Sequence, residues 1–227
     1  MDWNEEQMSV VRPEPERNVL TPWMQEKSQV IGKWMTVYFW MIFVNFIPST
    51  IAVVEEMNQS GTIIGVMLGW VCSAVMIFAQ FQMGKYQDRL KLCADLNTVL
   101  LVGGIVVELV GSEPLSELWR IPSVIIGLVV LYQFMHGCGD LLVGVDNEQS
   151  DKWYKLWKWY IWLMVGGIVG LPVLTIMAYM MEDFGVMGLL FIGVLLAWAV
   201  LILAQSVREV VYVYRTAKTF RRIAENL

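Results

Sequence analysis

IPSVIIGLVVLYQFMHGCGDLLVGV, from Ile121 to Val145, is a run of 25 residues with one acid and neither lysine nor arginine. As a helix rising 1.5 Å per residue it is about 37 Å long. That exceeds the roughly 30 Å of hydrocarbon in a bilayer, so the run reads as a membrane span. It also holds the only histidine of the chain, one of its three cysteines and Asp140. The reading of this stretch decides both the fold class and the first place to look for chemistry.

The rest of the chain has the same character. Of its 227 residues 57% are hydrophobic and 16% charged, against about 25% charged in soluble domains. Mean hydropathy is +0.55. Working outward from Ile121–Val145, uncharged runs place further spans at about 34–54, 62–84, 96–112, 159–181 and 184–207. The third is the shortest and is interrupted by Glu108; it reaches spanning length if it begins near Leu90. The expected fold is an all-α integral membrane protein of six transmembrane helices, with residues 21–207 as its membrane domain.

Charge fixes the expected orientation. With the N-terminus in the cytoplasm, Arg12, Arg17, Lys27 and Lys33 share one side with Lys85, Arg89 and Lys91, with Lys152, Lys155 and Lys158, and with Arg208, Arg215, Lys218, Arg221 and Arg222. That side holds 15 of the 16 basic residues, and the other holds Arg120 alone. The connections opposite are short and acidic: Glu55-Glu56, Glu113 with Glu117, and Glu182-Asp183. Lysine and arginine resist translocation, so both termini belong inside, at the cell membrane. Residues 1–20 are acidic, contain Pro13 and Pro15, and lack an apolar signal region, so they read as an irregular cytoplasmic tail.

Thr21-Pro22 has the chemistry of a helix start, a hydroxyl at the N-cap followed by proline at the first helical position. Residues 21–33 then either lie in the interface plane or run straight into the first span. At the other terminus, residues 208–227 form a basic amphipathic extension of the sixth helix. Val207, Val210, Tyr214, Ala217, Ala224 and Leu227 make its apolar stripe, directed at the inner membrane surface or at a cytoplasmic partner. Trp153, Trp157, Trp159 and Trp162 alternate with lysines where the fifth span meets the inner headgroups, the place where indole rings anchor. Val102-Gly-Gly-Ile-Val106 recurs as Val165-Gly-Gly-Ile-Val169. This would suit three helical hairpins, though five residues from a restricted alphabet carry little weight.

On a helix, Gln133, His136 and Asp140 fall on one face at i, i+3 and i+7, while Cys138 points about 200° away from His136. No His-Cys-Asp metal triad forms on a single helix, and no metal or cofactor is implied. A His–Asp pair at i,i+4 in a low dielectric is what a proton relay needs. The competing view is structural, with Asp140 at headgroup level, His136 bonded one turn deeper and the glycines admitting neighbouring helices. Counted from Ile121, Gln133 is about 18 Å and Asp140 about 28 Å along the helix. Glu108 and Asn45 are the other polar residues inside expected spans. Gln133, His136, Asp140, Glu108 and Asn45 are therefore the candidates for a substrate or proton pathway.

Cys72, Cys93 and Cys138 share no C-x-x-C spacing, so neither a disulfide framework nor a cysteine zinc site is indicated. There is no H-E-x-x-H, G-x-S-x-G or Walker A sequence, and nothing favours an enzyme. No basic stretch interleaved with aromatics suggests nucleic acid. The leading expectation is a transport component: a small-solute carrier, a channel subunit or the permease part of a larger transporter. The alternative is a non-catalytic scaffold or sensor acting through its cytoplasmic tail and inner loops. The expected partners are the lipid bilayer and either a cytoplasmic protein or a second copy of the chain.

Overall fold

The computed structural model describes residues 22–48, 50–51, 64–180 and 184–225. The tail 1–20 and the acidic connections Glu55-Glu56 and Glu182-Asp183 lie outside the described residues. The described residues make six long helices and no strand: α1 (Pro22–Val44), α2 (Ile64–Gly84), α3 (Asp88–Val110), α4 (Glu113–Leu142), α5 (Asn147–Met180) and α6 (Phe184–Glu225). Five are long and apolar enough to cross a membrane: Pro22–Pro48, α2, α3, α4 and the Phe191–Glu225 part of α6.

Each helix packs against its neighbours in sequence, and α6 returns to pack along α1. The six therefore close into a ring. The end of the ring that holds the α2–α3 and α4–α5 turns, the start of α1 and the end of α6 carries nearly all the lysine and arginine. It is called the basic end below, and the other the acidic end.

The core sits toward the basic end. Ile31 and Met35 of α1 meet Met83, Leu90, Cys93, Met135, Cys138, Trp153, Val213 and Phe220 there, all buried. Toward the acidic end the outward faces are apolar and exposed, as with Leu109, Ile121, Ile176 and Ile192. Exposed apolar faces are expected where lipid rather than water surrounds a helix bundle. Every backbone polar group is satisfied within its own helix in such a setting, which is why helices can serve there.

The turns explain the helix ends. Gly111 adopts φ 60° and donates its N–H to Val107 O, closing α3 in a left-handed cap that glycine takes without steric cost. Ser112 then opens α4, with Pro114 in its first turn. At the basic end Gly144, at φ 78°, donates to Asn147 Oδ1 at 2.8 Å. Asp146 Oδ1 accepts from Gln149 N–H at 3.0 Å and so caps α5.

Helix extents differ from the expected spans because a helix does not stop where the hydrocarbon does. The third helix begins at Asp88 rather than near residue 96, and the fifth at Asn147 rather than 159. Their polar first turns belong to the basic-end core. α1 is continuous from Pro22, so the segment before the first span runs into it. α6, at 42 residues, is about 63 Å long, twice the hydrocarbon thickness.

Its last third is not a free amphipathic tail. Val213, Ala217 and Phe220 are buried in the core with Thr216, and Gly32 of α1 lets the Arg221 backbone approach so closely that a Cβ there would sit 3.0 Å from Arg221 N. The buried stripe shares only Ala217 with the apolar stripe drawn from the sequence. The reason is that α6 turns polar Gln205 and Thr216, rather than its most apolar face, toward the bundle.

The repeated glycine pairs have a common use. A Cβ on Gly103 would meet the Trp119 ring at 2.2 Å, and one on Gly167 would meet Trp198 at 2.7 Å. In both the α3–α4 and the α5–α6 pairs, an indole of the later helix lies against a glycine of the earlier.

Candidate functional site

Two polar groupings stand out in an otherwise apolar bundle. The first is built on the His136–Asp140 stretch of α4. Asp140 is its hub. Its Oδ2 accepts from Arg89 Nε at 2.8 Å and from Gln87 Nε2 at 3.1 Å, both at the start of α3, and its Oδ1 accepts from the Tyr154 hydroxyl of α5. Arg89 Nη1 reaches Gln133 Oε1 at 3.4 Å, and its guanidinium lies 5.8 Å from the Tyr132 ring centre. One carboxylate thus ties three successive helices together.

The glycines between these residues make the approach possible. A Cβ on Gly137 would meet Leu90 of α3 at 2.9 Å, and one on Gly139 would meet the Tyr154 ring at 3.0 Å. Ser150 donates to Gly139 O at 2.8 Å, fastening α5 from the same side. Tyr154 is held protonated above the ordinary tyrosine range, first by burial and then by its bond to the Asp140 carboxylate.

His136 does not pair with Asp140. Its Nδ1 lies 3.0 Å from Tyr132 O. A carbonyl only accepts, so Nδ1 carries the proton and donates. The ring packs between Tyr132 at 4.1 Å and Tyr154 at 5.4 Å, with Trp157 at 6.1 Å. Cys138 is fully buried in the core, as its phase on the helix requires. Among the described residues no three His, Cys, Asp or Glu side chains converge as metal ligands.

The second grouping lies inside the ring. A cavity of about 500 Å³ is lined by residues of α1, α2, α3, α4 and α6. Its polar lining is Tyr38, Ser73, Gln80, Asn97 and Glu209, and its apolar lining includes Trp70, Ile77, Val130 and Phe134. Asn97 Nδ2 donates to Gln80 Oε1 at 2.8 Å, with the Tyr38 phenol in the same lining. Glu209 Oε2 accepts from the Tyr160 hydroxyl of α5 at 2.9 Å. Gln80 is 2% exposed, so its bonds are made away from solvent. Phe134 of the core lines the cavity toward the basic end, and Trp70, Gly104 and Gly127 line it toward the acidic end.

The sequence candidates divide accordingly. Gln133, His136 and Asp140 come together, but α4 presents Gly127, Val130 and Phe134 to the cavity, a different face. Glu108 is exposed near the acidic end of α3. Asn45 lies just past α1, its N–H on Met41 O at 2.9 Å. Neither joins the cluster. Of the four tryptophans, Trp159 and Trp162 are 55% and 72% exposed, whereas Trp153 is fully buried and donates its indole N–H to Thr216 Oγ1 at 3.1 Å. Trp157 packs on Tyr132.

Tyr38, Gln80, Asn97 and Glu209 are not among the candidates to which the sequence points. The available signal was phase. Asn97 is one turn from Cys93, and Glu209 one turn from Gln205 on the buried face of α6. No protein-family model, curated protein or solved structure matches the chain.

Proposed function

We propose that the chain is the membrane component of a transport system for a small solute. It would cross the cell membrane six times with both termini in the cytoplasm, and use the cavity inside the ring as its solute site. The observation that carries this reading is the cavity itself. Polar side chains withdrawn from water cost stability unless they are bonded or used, and half-buried Tyr38, Ser73, Asn97 and Glu209 converge with buried Gln80, from four helices, on one space of about 500 Å³. Solute sites in bundles take this form, largely apolar with a few converging polar groups.

Orientation rests on the charge sorting, and the sixth crossing on α5, which is uncharged from Trp159 to Met181. In that orientation the cavity extends toward the outside and has the packed core at its cytoplasmic end, the arrangement of an outward-facing carrier. The Gln87–Arg89–Asp140–Tyr154 cluster then serves as the clamp that holds α3, α4 and α5 together at the inner end. The scaffold alternative would rest on what the α6 extension leaves exposed, Val207 and Tyr214 among its apolar residues, since Val213, Thr216, Ala217 and Phe220 pack within the bundle.

The test is swelling of proteoliposomes in a panel of iso-osmotic small solutes, both uncharged and ionic. Gln80→Leu and Asn97→Leu should abolish the flux of any solute the wild type admits, with the purified protein still monodisperse. His136→Ala should retain it. Normal flux through both cavity variants would sink the assignment.

A further inference from the structure

The seam that closes the ring, between α1 and α6, carries a groove unrelated to the central cavity. One part, of about 340 Å³, is lined by Phe39, Trp40, Tyr214, Lys218, Arg221 and Arg222 among others. A second, of about 450 Å³, adds Lys33 and shares Thr36, Arg221 and Glu225 with the first. Four cations thus face one acid. Glu225 reaches only Arg221, at 3.8 Å, and no carboxylate of the described residues lies within ion-pair distance of Lys218 or Arg222.

The groove also has a direction. On α1 the charged part ends at Lys33 and the uncharged run begins at Trp34; on α6 the cations resume at Arg208. The cations of the groove lie on the charged side of that border. Phe39 and Trp40 lie on the uncharged side along α1, and Tyr214, one turn before Lys218 on α6, meets the Phe39 ring at 5.3 Å. Trp40 is 61% exposed, and Phe43 and Val44 continue the apolar wall beyond it. Unneutralised cations one to two turns from an exposed aromatic shelf match a molecule with an anionic head and apolar tails. An acidic peptide would satisfy the cations and leave the shelf uncovered.

We infer that the α1–α6 groove is a binding site for an anionic phospholipid, its phosphate held by Lys218, Arg221 and Arg222 and its acyl chains laid along Trp40 and Phe43. Because α1 and α6 join the two ends of the chain, a lipid seated there lies across the seam that closes the ring. A cation near the membrane surface is worth about 1 kcal/mol toward anionic lipid, roughly fivefold in affinity.

Native mass spectrometry of the full chain in detergent provides the test, with phosphatidylglycerol and phosphatidylcholine of identical acyl chains as probes. The wild type should retain phosphatidylglycerol preferentially, and K218Q/R222Q should weaken that retention by about 25-fold. Both side chains are exposed and make no ion pair with the described residues, so this variant should melt as the wild type does. K155Q/K158Q, which removes two exposed lysines from α5, should leave retention unchanged. Equal retention of the two lipids would overturn the inference. So would an unaltered K218Q/R222Q, or a loss in K155Q/K158Q as large as in K218Q/R222Q, which would mean diffuse basicity rather than a site.

Discussion

Replacing Asn97 by leucine removes the amide that donates to Gln80 Oε1 at 2.8 Å and leaves a glutamine that is 2% exposed without that partner. In water-soluble proteins an abandoned buried acceptor costs about 1–3 kcal/mol. In membrane bundles side-chain hydrogen bonds average about 0.6 kcal/mol and reach about 1.7, because the unfolded chain in lipid also finds partners. Asn97→Leu should therefore destabilise by about 1–2 kcal/mol, and Gln80→Leu by a similar amount, since it removes the oxygen acceptor of the Asn97 amide.

The double replacement removes both ends of the bond and should cost less than the two singles together, with a coupling of about 0.6–1.7 kcal/mol. Equilibrium unfolding in mixed micelles, followed by tryptophan fluorescence for the four proteins, measures it. A coupling within about 0.3 kcal/mol of zero would refute the reasoning. It would mean that water fills the cavity floor and replaces whichever partner is removed.

Two adjacent glycines should respond in opposite ways. Gly103→Ala drives a methyl to within 2.2 Å of the Trp119 ring and should destabilise by about 1–3 kcal/mol. Gly104→Ala meets nothing within 4 Å and should be neutral or stabilise by about 0.5–1 kcal/mol through helix propensity; thermal denaturation in detergent distinguishes them. The basic end should also lose stability in alkali. Tyr86 and Tyr154 are held protonated above the usual tyrosine range, each first by burial and then by a carboxylate acceptor, Glu26 and Asp140 respectively. Both bind their proton more tightly folded than unfolded. Their contribution is thus complete below the unfolded pKa of about 10 and disappears as pH rises through the folded values. Melting curves across that range should fall more steeply for wild type than for Tyr86→Phe/Tyr154→Phe, and parallel curves would count against the assignment.

Length and charge made the helical membrane architecture legible, because a long uncharged run has few other uses. Where helices begin was not legible in the same way. Asp88, Arg89 and Lys91 look like a loop by composition, yet they form the first turn of α3, since Arg89 finds Asp140 on the next helix. The same blindness put Trp153 with the interfacial tryptophans. Phase would have separated them: Trp153, Leu156 and Tyr160 turn to one face of α5 and pack, while Lys155, Lys158, Trp159 and Trp162 turn to the other and are exposed.

The His136–Asp140 face was visible as a polar stripe, but its partners Gln87, Arg89 and Tyr154 come from other helices and no spacing reveals them. The cavity was the least legible part. It depends on which face each of five helices turns inward, and α6 turns in Gln205, Glu209 and Thr216, which a search for the most apolar stripe passes over.

Thiol labelling of the cavity tests the central claim most directly. In a background with Cys72, Cys93 and Cys138 replaced by alanine, Ser73→Cys places a single thiol on the cavity lining. A membrane-impermeant maleimide added to intact cells should modify it, as it should Ser112→Cys in the α3–α4 turn, and preloading with a solute that passes the swelling assay should slow the first reaction only. A Ser73→Cys protein that stays unlabelled while Ser112→Cys reacts would contradict a cavity open to the outside.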